Sequence, residues 1–249
     1  MNISEYKEMS KREGYYWWHT GRMSIVDAQL SNLTRVKKSL KILNIGCGTG
    51  GTIPTLEKYG AVENVDISPE ALKFLMQKGY EGKLIKDHRL PFKDQEFDLV
   101  IALDVLEHIN QDRLSLDEWK RVLKKGGKVF ITVPAYRFLW SGHDVSLQHH
   151  RRYTTKALDW DLKKSDYTKI KLSYMITFSF FLVTGFRWLH KLTGKKMTET
   201  TSYVNLPSPI NSLFNSLLKM EGILLKYINL PFGTSVLAVY EKAVSKIRE

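Results

Sequence analysis

The sequence predicts an α/β protein built on a doubly wound sheet, and three observations carry this prediction. Apolar runs typical of buried strands alternate with helix-like segments along residues 41–176. The first apolar run leads into a glycine-rich segment at residues 46–51, and the second ends close to an acidic residue, Asp66. In such a sheet, ligands bind at the carboxyl ends of the strands, which is where both features fall.

The first half of the chain predicts five strands. Residues 97–103 form a continuous apolar run, as expected for a strand that is buried on both faces. Ser68 is a predicted helix N-cap, Pro69 occupies the first helical position, and Gly79 can end that helix. The other predicted elements are strands at 41–45, 64–67, 84–86 and 128–133 and a helix at 112–123.

The second half predicts a helix at 154–164, a sixth strand at 169–176 and an antiparallel seventh strand at 235–240. Residues 178–230 form a helical insertion before that last strand, with two amphipathic helices around a polar linker at 198–209. Their apolar positions are Phe178, Phe181, Leu182, Phe186 and Leu189, then Ile210, Leu213, Phe214, Leu217, Leu218, Leu225 and Ile228.

The domain organisation predicted from these elements is a single domain over 1–249. Residues 1–38 would be a helical cover, 39–177 and 231–245 the core sheet, and 178–230 either a lid over the pocket or a membrane-surface element. Amphipathic helices flanked by basic residues suit attachment to a lipid surface, but the same helices could simply cap the core.

The glycine segment fits two cofactor templates. Gly46, Gly48 and Gly51 match G-x-G-x-x-G, the dinucleotide fingerprint, whereas Gly46, Gly48 and Gly50 match G-x-G-x-G. Either match alone is weak, and a tight turn without a ligand is a third interpretation.

The downstream residues favour the second template. Asp66-Ile67-Ser68-Pro69, Leu90-Pro91-Phe92 and the run at 97–109 follow in order. As a set, residues 41–134 resemble class I S-adenosylmethionine (SAM) methyltransferases that act on small molecules, including the quinone-biosynthesis methyltransferases. The resemblance implies a Rossmann-like seven-stranded sheet and SAM as the cofactor.

The same resemblance implies which residues contact SAM. The glycines would line its methionine part, Asp66 would hold the ribose hydroxyls, and Leu103 would lie near the sulfonium. Ile67 and Asp87 would contact the adenine. Asn44 stands where many relatives carry an acid, so the hold on the SAM amino group loses a charge. The implied cofactor residues are Asn44, Gly46, Gly48, Gly50, Asp66, Ile67, Asp87 and Leu103.

Polar residues just beyond the fifth strand are candidates for the acceptor side. His143 paired with Asp144, or else His149, could act as a general base. Arg151 and Arg152 could clamp a phosphate or carboxylate. This segment and Pro231-Phe232-Gly233 resemble uncharacterised methyltransferases found near lipid- and polysaccharide-assembly genes. Further substrate-binding candidates are Tyr153, His108, Trp17 and His19.

Each of these candidates also has a structural interpretation. A single histidine is more often a packing residue, His108 could cap the adjoining helix, and the aromatic residues near Trp17 could pack the cover onto the sheet. Residue types alone would allow a metal site at His143, Asp144 and His149, but the spacing is not diagnostic and no metal is predicted.

The composition of the chain favours some classes of binding partner over others. The net charge of +12 indicates affinity for an anionic acceptor or an anionic membrane surface, although a merely soluble basic surface is an alternative. The basic residues are spread along the chain, which disfavours nucleic acid. The one cysteine, Cys47, excludes an intrachain disulfide, and the polar N-terminal residues lack a leader-like apolar run. We expect a cytoplasmic location, including the inner face of the membrane.

The sequence therefore predicts methyl transfer from SAM to an O or N atom of a small-molecule or lipid-linked acceptor. Two alternatives stay open: a non-catalytic SAM-binding or scaffold protein, and an NAD-dependent oxidoreductase that uses the other glycine match. The oligomeric state is not indicated.

Overall fold

The computed structural model describes residues 3–34, 39–192 and 203–243. These residues form a seven-stranded sheet of order β3-β2-β1-β4-β5-β7-β6. β7 runs antiparallel to β5 and β6, and the pairs among β1 to β5 are parallel. The strands are β1 Leu40–Ile45, β2 Gly60–Asp66, β3 Lys83–Leu84, β4 Phe97–Leu103, β5 Leu123–Pro134, β6 Tyr167–Met175 and β7 Ser235–Lys242. The predicted fold class is confirmed, including the antiparallel last strand.

Helices flank this sheet. They are α1 Ile3–Arg12, α2 Trp17–Leu33, α3 Ile53–Leu56, α4 Pro69–Gln77, α5 Asp112–Val122, α6 Gly142–Ser146, α7 Thr155–Lys164, α8 Phe180–Leu192 and α9 Ser208–Leu224. The predicted start of α4 is confirmed, because Ser68 Oγ accepts a hydrogen bond from Ala71 N at 3.2 Å. Gly79 follows α4 with φ +83°, a conformation that favours glycine.

The start of β5 differs from the prediction at residue 128. Leu123 already pairs with Phe97 of β4, and regular pairing resumes where Leu99 meets Lys128. Gly126 takes φ +71° in the intervening segment. The strand therefore begins at Leu123, before Gly126 and Gly127, and not at residue 128.

Two apolar cores lie on opposite faces of the sheet. On one face, Trp119 of α5 and Leu158 of α7 are buried against the strands. On the other, Ile25 of α2 and Leu218 of α9 are fully buried. One layer is thus shared by the N-terminal cover and the insertion, and this layer separates part of the sheet from solvent.

The α2–α9 contact depends on close approach. A Cβ on Gly222 of α9 would lie 3.0 Å from Ile25 Cα, and a Cβ on Gly21 of α2 would collide with Leu218. Gln29 Nε2 also donates to Gly222 O at 2.9 Å. Small residues on both helices let their backbones meet, so α9 is an integral part of the core layer.

The predicted apolar face of α9 is only partly correct. Leu218 and Leu225 are buried, but Leu213 is 56% and Ile228 is 46% exposed. α9 ends at Leu224, so Ile228 lies beyond the helix. The buried stripe of α9 also includes Glu221, a polar residue that the apolar pattern does not select.

Glu221 joins the insertion to the sheet. Its carboxylate accepts hydrogen bonds from the backbone N–H groups of Ile176 and Thr177, directly after β6. Ile176 has φ +61°, which is unusual for a β-branched residue. Glu221 thereby fixes the turn that leads from β6 into α8.

α8 presents most of its apolar residues to solvent. Phe178, just before it, packs between Trp17 and Phe214 at ring distances of 5.6 and 5.1 Å. By contrast, Phe181 is 66% and Leu182 is 64% exposed. Within the described ranges, no helix combines the length and the apolar character needed to cross a bilayer. Residues 198–202 of the predicted polar linker lie outside the described residues.

Candidate active site

The glycine loop lies at the carboxyl end of β1. Gly46, Gly48 and Gly50 have φ values of +67°, +54° and +89°. A Cβ on Gly46 would lie 2.5 Å from Val105 Cγ2, and one on Gly50 would lie 2.8 Å from Leu75 Cδ1. The loop therefore needs glycine both for its backbone conformation and for its close packing.

Asp66 ends β2 and holds the loop beside the start of α4. Its Oδ2 accepts from Gly48 N at 2.8 Å, and its Oδ1 accepts from Ser68 N at 2.9 Å. Burial raises the pKa of Asp66, and the hydrogen bonds from Ser68 and Gly48 oppose that rise. A carboxylate is thus fixed at the edge where an adenosine cofactor would place its ribose.

Asn44 lies beneath the loop. It is 2% exposed and pairs in register with Asn64 of β2. Its Nδ2 donates to Asn64 Oδ1 at 2.9 Å and to Thr52 Oγ1 at 3.2 Å. Asn44 therefore joins β1 to β2 and to Thr52, the residue directly after the glycine loop.

The three remaining residues that the resemblance implied as SAM contacts are Ile67, Asp87 and Leu103, and they differ from one another in solvent exposure. Ile67 is 66% exposed and presents an apolar surface next to Asp66. Asp87 is exposed, and its Oδ1 accepts from Arg89 N at 2.7 Å. Leu103 is only 7% exposed at the end of β4.

α1 lies over this edge, and its individual contacts were not among the predicted site residues. The Tyr6 hydroxyl is hydrogen-bonded to Ser68 beside Asp66, and burial raises the pKa of Tyr6. Met9 Cε would lie 3.2 Å from a Cβ on Gly48. Glu13, just after α1, accepts from Thr49 Oγ1 at 2.7 Å and pairs with Lys78.

α2 adds further contacts near the same edge. Arg22 forms an ion pair with Asp104, the residue directly after β4. Trp17 packs α2 onto the insertion through Phe178 and Phe214. His19 is buried, its Nε2 lies 3.1 Å from Tyr203 Oη, and burial lowers its pKa to about 3.

Asp144 is the centre of the polar cluster after β5. Fully buried, it accepts from His149 Nδ1 at 2.9 Å, from Arg152 Nε at 2.7 Å and from Ser141 N at 2.8 Å. Burial alone would raise the pKa of Asp144, but the hydrogen bonds from His149 and Arg152 outweigh it and hold this pKa below its usual value. If Nδ1 of His149 carries the proton for this bond, its Nε2 can act as a base.

Glu107 lies on the other side of His149. Its Oε1 is 4.0 Å from His149 Nε2, and among the described residues neither carboxylate oxygen has a hydrogen-bond partner. Burial, followed by the charge of Asp104, raises the pKa of Glu107 well above its usual value. Glu107 was not among the predicted site residues, although an acid that follows Val105-Leu106 and precedes His108 is a visible signal in the sequence.

His108 packs edge-on against His149, with ring centroids 4.7 Å apart. Burial lowers the pKa of His108 to about 4, which keeps its imidazole neutral. Single ligand atoms of Glu107, His108 and His149 lie within 4.8 Å of one another, so these three side chains could hold a divalent metal ion. This group differs from the set considered in the sequence, because Asp144 is bonded to Arg152.

The remaining acceptor candidates serve the local fold in this structure. Arg151 pairs with Asp112 Oδ2 at 2.5 Å and donates to Asn110 O at 2.9 Å. Tyr153 is buried and its hydroxyl lies 3.3 Å from the same Asp112 oxygen. Burial lowers the pKa of His143 to about 4. Arg151 and Tyr153 thus tie the loop to α5, while His143 stays beside Asp144.

Comparisons with known proteins give the same picture as the geometry. The strand order and the loop–carboxylate arrangement define an α/β protein with a cofactor edge of the class I methyltransferase type. Residues 43–131 match the model of a methyltransferase domain. Residues 43–131 therefore carry a methyltransferase domain, and the sheet around them has the order of the class I SAM-dependent methyltransferases, whose cofactor is SAM.

Two curated relatives illustrate the match. Norajmaline N-methyltransferase of Rauvolfia serpentina is 27% identical over 70% of this chain and 58% of its own length. Ubiquinone biosynthesis O-methyltransferase of Xanthomonas oryzae pv. oryzae is 29% identical over 37% of this chain and 42% of its own length. The chain thus spans about half the length of these relatives.

A solved structure supports the fold. It is the complex of the Haloferax volcanii methyltransferase activator Trm112 with a methyltransferase. The likeness has a TM-score of 0.62 at 16% identity and covers 98% of this chain and 95% of that one.

Proposed function

We propose that this protein transfers a methyl group from SAM to an O or N atom of a small-molecule acceptor. The observation that carries the proposal is the fixed position of Asp66 between the Gly48 and Ser68 amides at the carboxyl edge. Bound SAM supplies an electrophilic methyl carbon for in-line displacement. The protein must then align the acceptor and keep its nucleophilic atom unprotonated.

The residues present fit SAM. The glycines would line its methionine part, Asp66 would accept from the ribose hydroxyls, and the exposed Ile67 would contact the adenine. The exposed Asp87 carboxylate would accept a hydrogen bond from the adenine amino group. Leu103 would lie close to the sulfonium. The cover formed by α1 would exclude water from the reacting atoms. Because Tyr6 and Met9 lie over the loop, SAM entry would require α1 to shift.

His149 is the proposed general base. Its Nδ1 is held by Asp144, and its Nε2 lies 4.0 Å from Glu107 Oε1. Asp144 is itself fixed by Arg152, so the imidazole orientation is set by a rigid partner. His143, Arg151 and Arg152 stay candidates for the acceptor side.

Calorimetric titration tests the cofactor. Wild-type protein should bind SAM and S-adenosylhomocysteine but not NAD. Asp66→Ala should lose this binding, whereas Glu57→Ala, which removes an exposed acid directly after α3, should retain it. Binding of NAD alone would favour an oxidoreductase. SAM binding without turnover of any acceptor in lipid and small-molecule extracts would favour a scaffold role.

We further propose that the acceptor is lipid-linked and that α8 rests on an anionic membrane surface. Phe181, Leu182 and Trp188 are each more than half exposed, and the net charge of +12 favours anionic headgroups. In this proposal the protein acts at the inner face of the cytoplasmic membrane. The apolar side chains would enter the headgroup region while the active-site edge faces the bilayer.

Vesicle sedimentation tests this contact. Wild-type protein should pellet with vesicles of phosphatidylglycerol and phosphatidylcholine, less at high salt. Phe181→Ser with Leu182→Ser should reduce pelleting several-fold. Leu114→Ser, an exposed leucine on α5 at 46% exposure, is the matched control and should have no effect. Equal pelleting of all three proteins would exclude α8 as the contact.

A further inference from the structure

α8 has an inward polar face as well as its exposed apolar one. Thr184 and Arg187 are three residues apart and so share one side of the helix. Thr184 Oγ1 and Arg187 Nη1 are both buried, and within the described part of the chain neither has a hydrogen-bond partner. On this side of α8, two buried donors are therefore left without an acceptor.

The charge around Arg187 does not balance. Its charged neighbours are Asp144 and Arg152, and it also lies near His143. Burial, followed by the charge of Arg152, lowers the pKa of Arg187 to about 10, so it remains a cation at neutral pH. Two guanidinium groups thus share one carboxylate.

Both oxygens of Asp144 already accept hydrogen bonds from other groups, so its carboxylate does not neutralise Arg187. Its Oδ1 accepts from His149 and Arg152, and its Oδ2 accepts from Arg152 and Ser141. A buried charge without a partner is destabilising, and a bound anion would offset that cost.

We propose that Arg187 and Thr184 form an oxyanion subsite that binds a phosphate group of the methyl acceptor. The inference rests on the proposed function and names the class of its substrate. The planar guanidinium can donate two parallel hydrogen bonds to phosphate oxygens, and the threonine hydroxyl can donate a third. Arg151, which the sequence suggested as a residue that clamps a phosphate, is bonded to Asp112 instead.

Binding of inorganic phosphate to protein saturated with S-adenosylhomocysteine tests the subsite. Arg187→Gln should weaken phosphate binding at least tenfold, and Thr184→Val, which keeps the side-chain shape, about threefold. Arg187→Lys should retain most of the affinity because it keeps the charge. Arg113→Gln removes an exposed arginine on α5 and should bind like wild type. Thermal melting of each variant verifies that it is folded.

Two probes distinguish the source of the phosphate. Glycerol 1-phosphate represents a soluble acceptor, and phosphatidylcholine vesicles with phosphatidic acid represent a lipid headgroup. Binding of either probe that depends on Arg187 supports the subsite and identifies its source. Equal phosphate binding by wild type, Arg187→Gln and Thr184→Val would overturn it. Failure to bind S-adenosylhomocysteine would instead overturn the proposed function, and the phosphate titration would still decide the subsite.

Discussion

Arg22 of α2 donates to the carboxylate of Asp104 at the end of β4, and its guanidinium lies 4.7 Å from the centre of the Trp18 ring. The side chains of Arg22 and Asp104 are only 10% and 23% exposed. Asp104 also accepts from Thr132 Oγ1 of β5 at 3.0 Å. The N-terminal cover is thus fixed to two central strands at the edge where the cofactor would bind.

Arg22→Gln should destabilise the protein, because it leaves a largely buried carboxylate without its cation. We expect the free energy of unfolding to fall by about 3 kcal/mol, measured by urea denaturation at pH 7. Lys58→Gln is the matched control, since Lys58 pairs with Asp27 on the surface and should contribute less than about 1 kcal/mol. Equal losses in both variants would show that burial does not strengthen the Arg22 pair.

Asp144→Ala should also destabilise the protein by about 3 kcal/mol at pH 7, because Arg152 would stay buried without its partner. The native pKa of Asp144 is lowered, so its contribution is present above the unfolded pKa of about 3.9 and is lost as pH falls through the native pKa. The difference from wild type should shrink in denaturation curves taken below pH of about 4. A constant difference down to low pH would contradict the ionised form of Asp144.

His19 should make stability fall in mild acid. Burial lowers its native pKa to about 3, so the unfolded chain takes up a proton first, near pH 6.5. Its contribution is full above that pH and is lost as pH falls, by at most about 1.4 kcal/mol per pH unit. His19→Phe should flatten the slope of unfolding free energy between about pH 6.5 and 5. His88→Phe, at an exposed position, should leave the slope as in wild type.

Leu218→Ala should show that the insertion belongs to the core. Leu218 is fully buried against α2, so its truncation should leave a cavity and cost about 2–5 kcal/mol. Met220→Ala lies on the same helix, but Met220 is 65% exposed, and the loss should be within about 0.5 kcal/mol. Thermal melts of the two variants measure the difference. If Leu218→Ala melted like wild type, α9 would be an appendage and not a part of the core layer.

The sequence by itself determined the sheet and the glycine loop at its carboxyl edge. Local signals were sufficient there, because apolar runs define the strands, Ser68 and Pro69 define a helix start, and glycine is required at Gly46 and Gly50 by backbone conformation. These features depend on residues close in the chain, so they can be recognised without the fold.

Only the tertiary structure decided which distant polar groups meet. Asp144 bonds to His149 and Arg152, Glu107 faces His149 from another loop, and Arg187 turns inward from a helix whose pattern is dominated by apolar residues. Hydrophobic periodicity reports the average face of a helix but not which single polar side chain is buried. Burial and pairing of charges depend on elements far apart in sequence, and the energetic cost of an unpaired charge appears only once those elements are packed together.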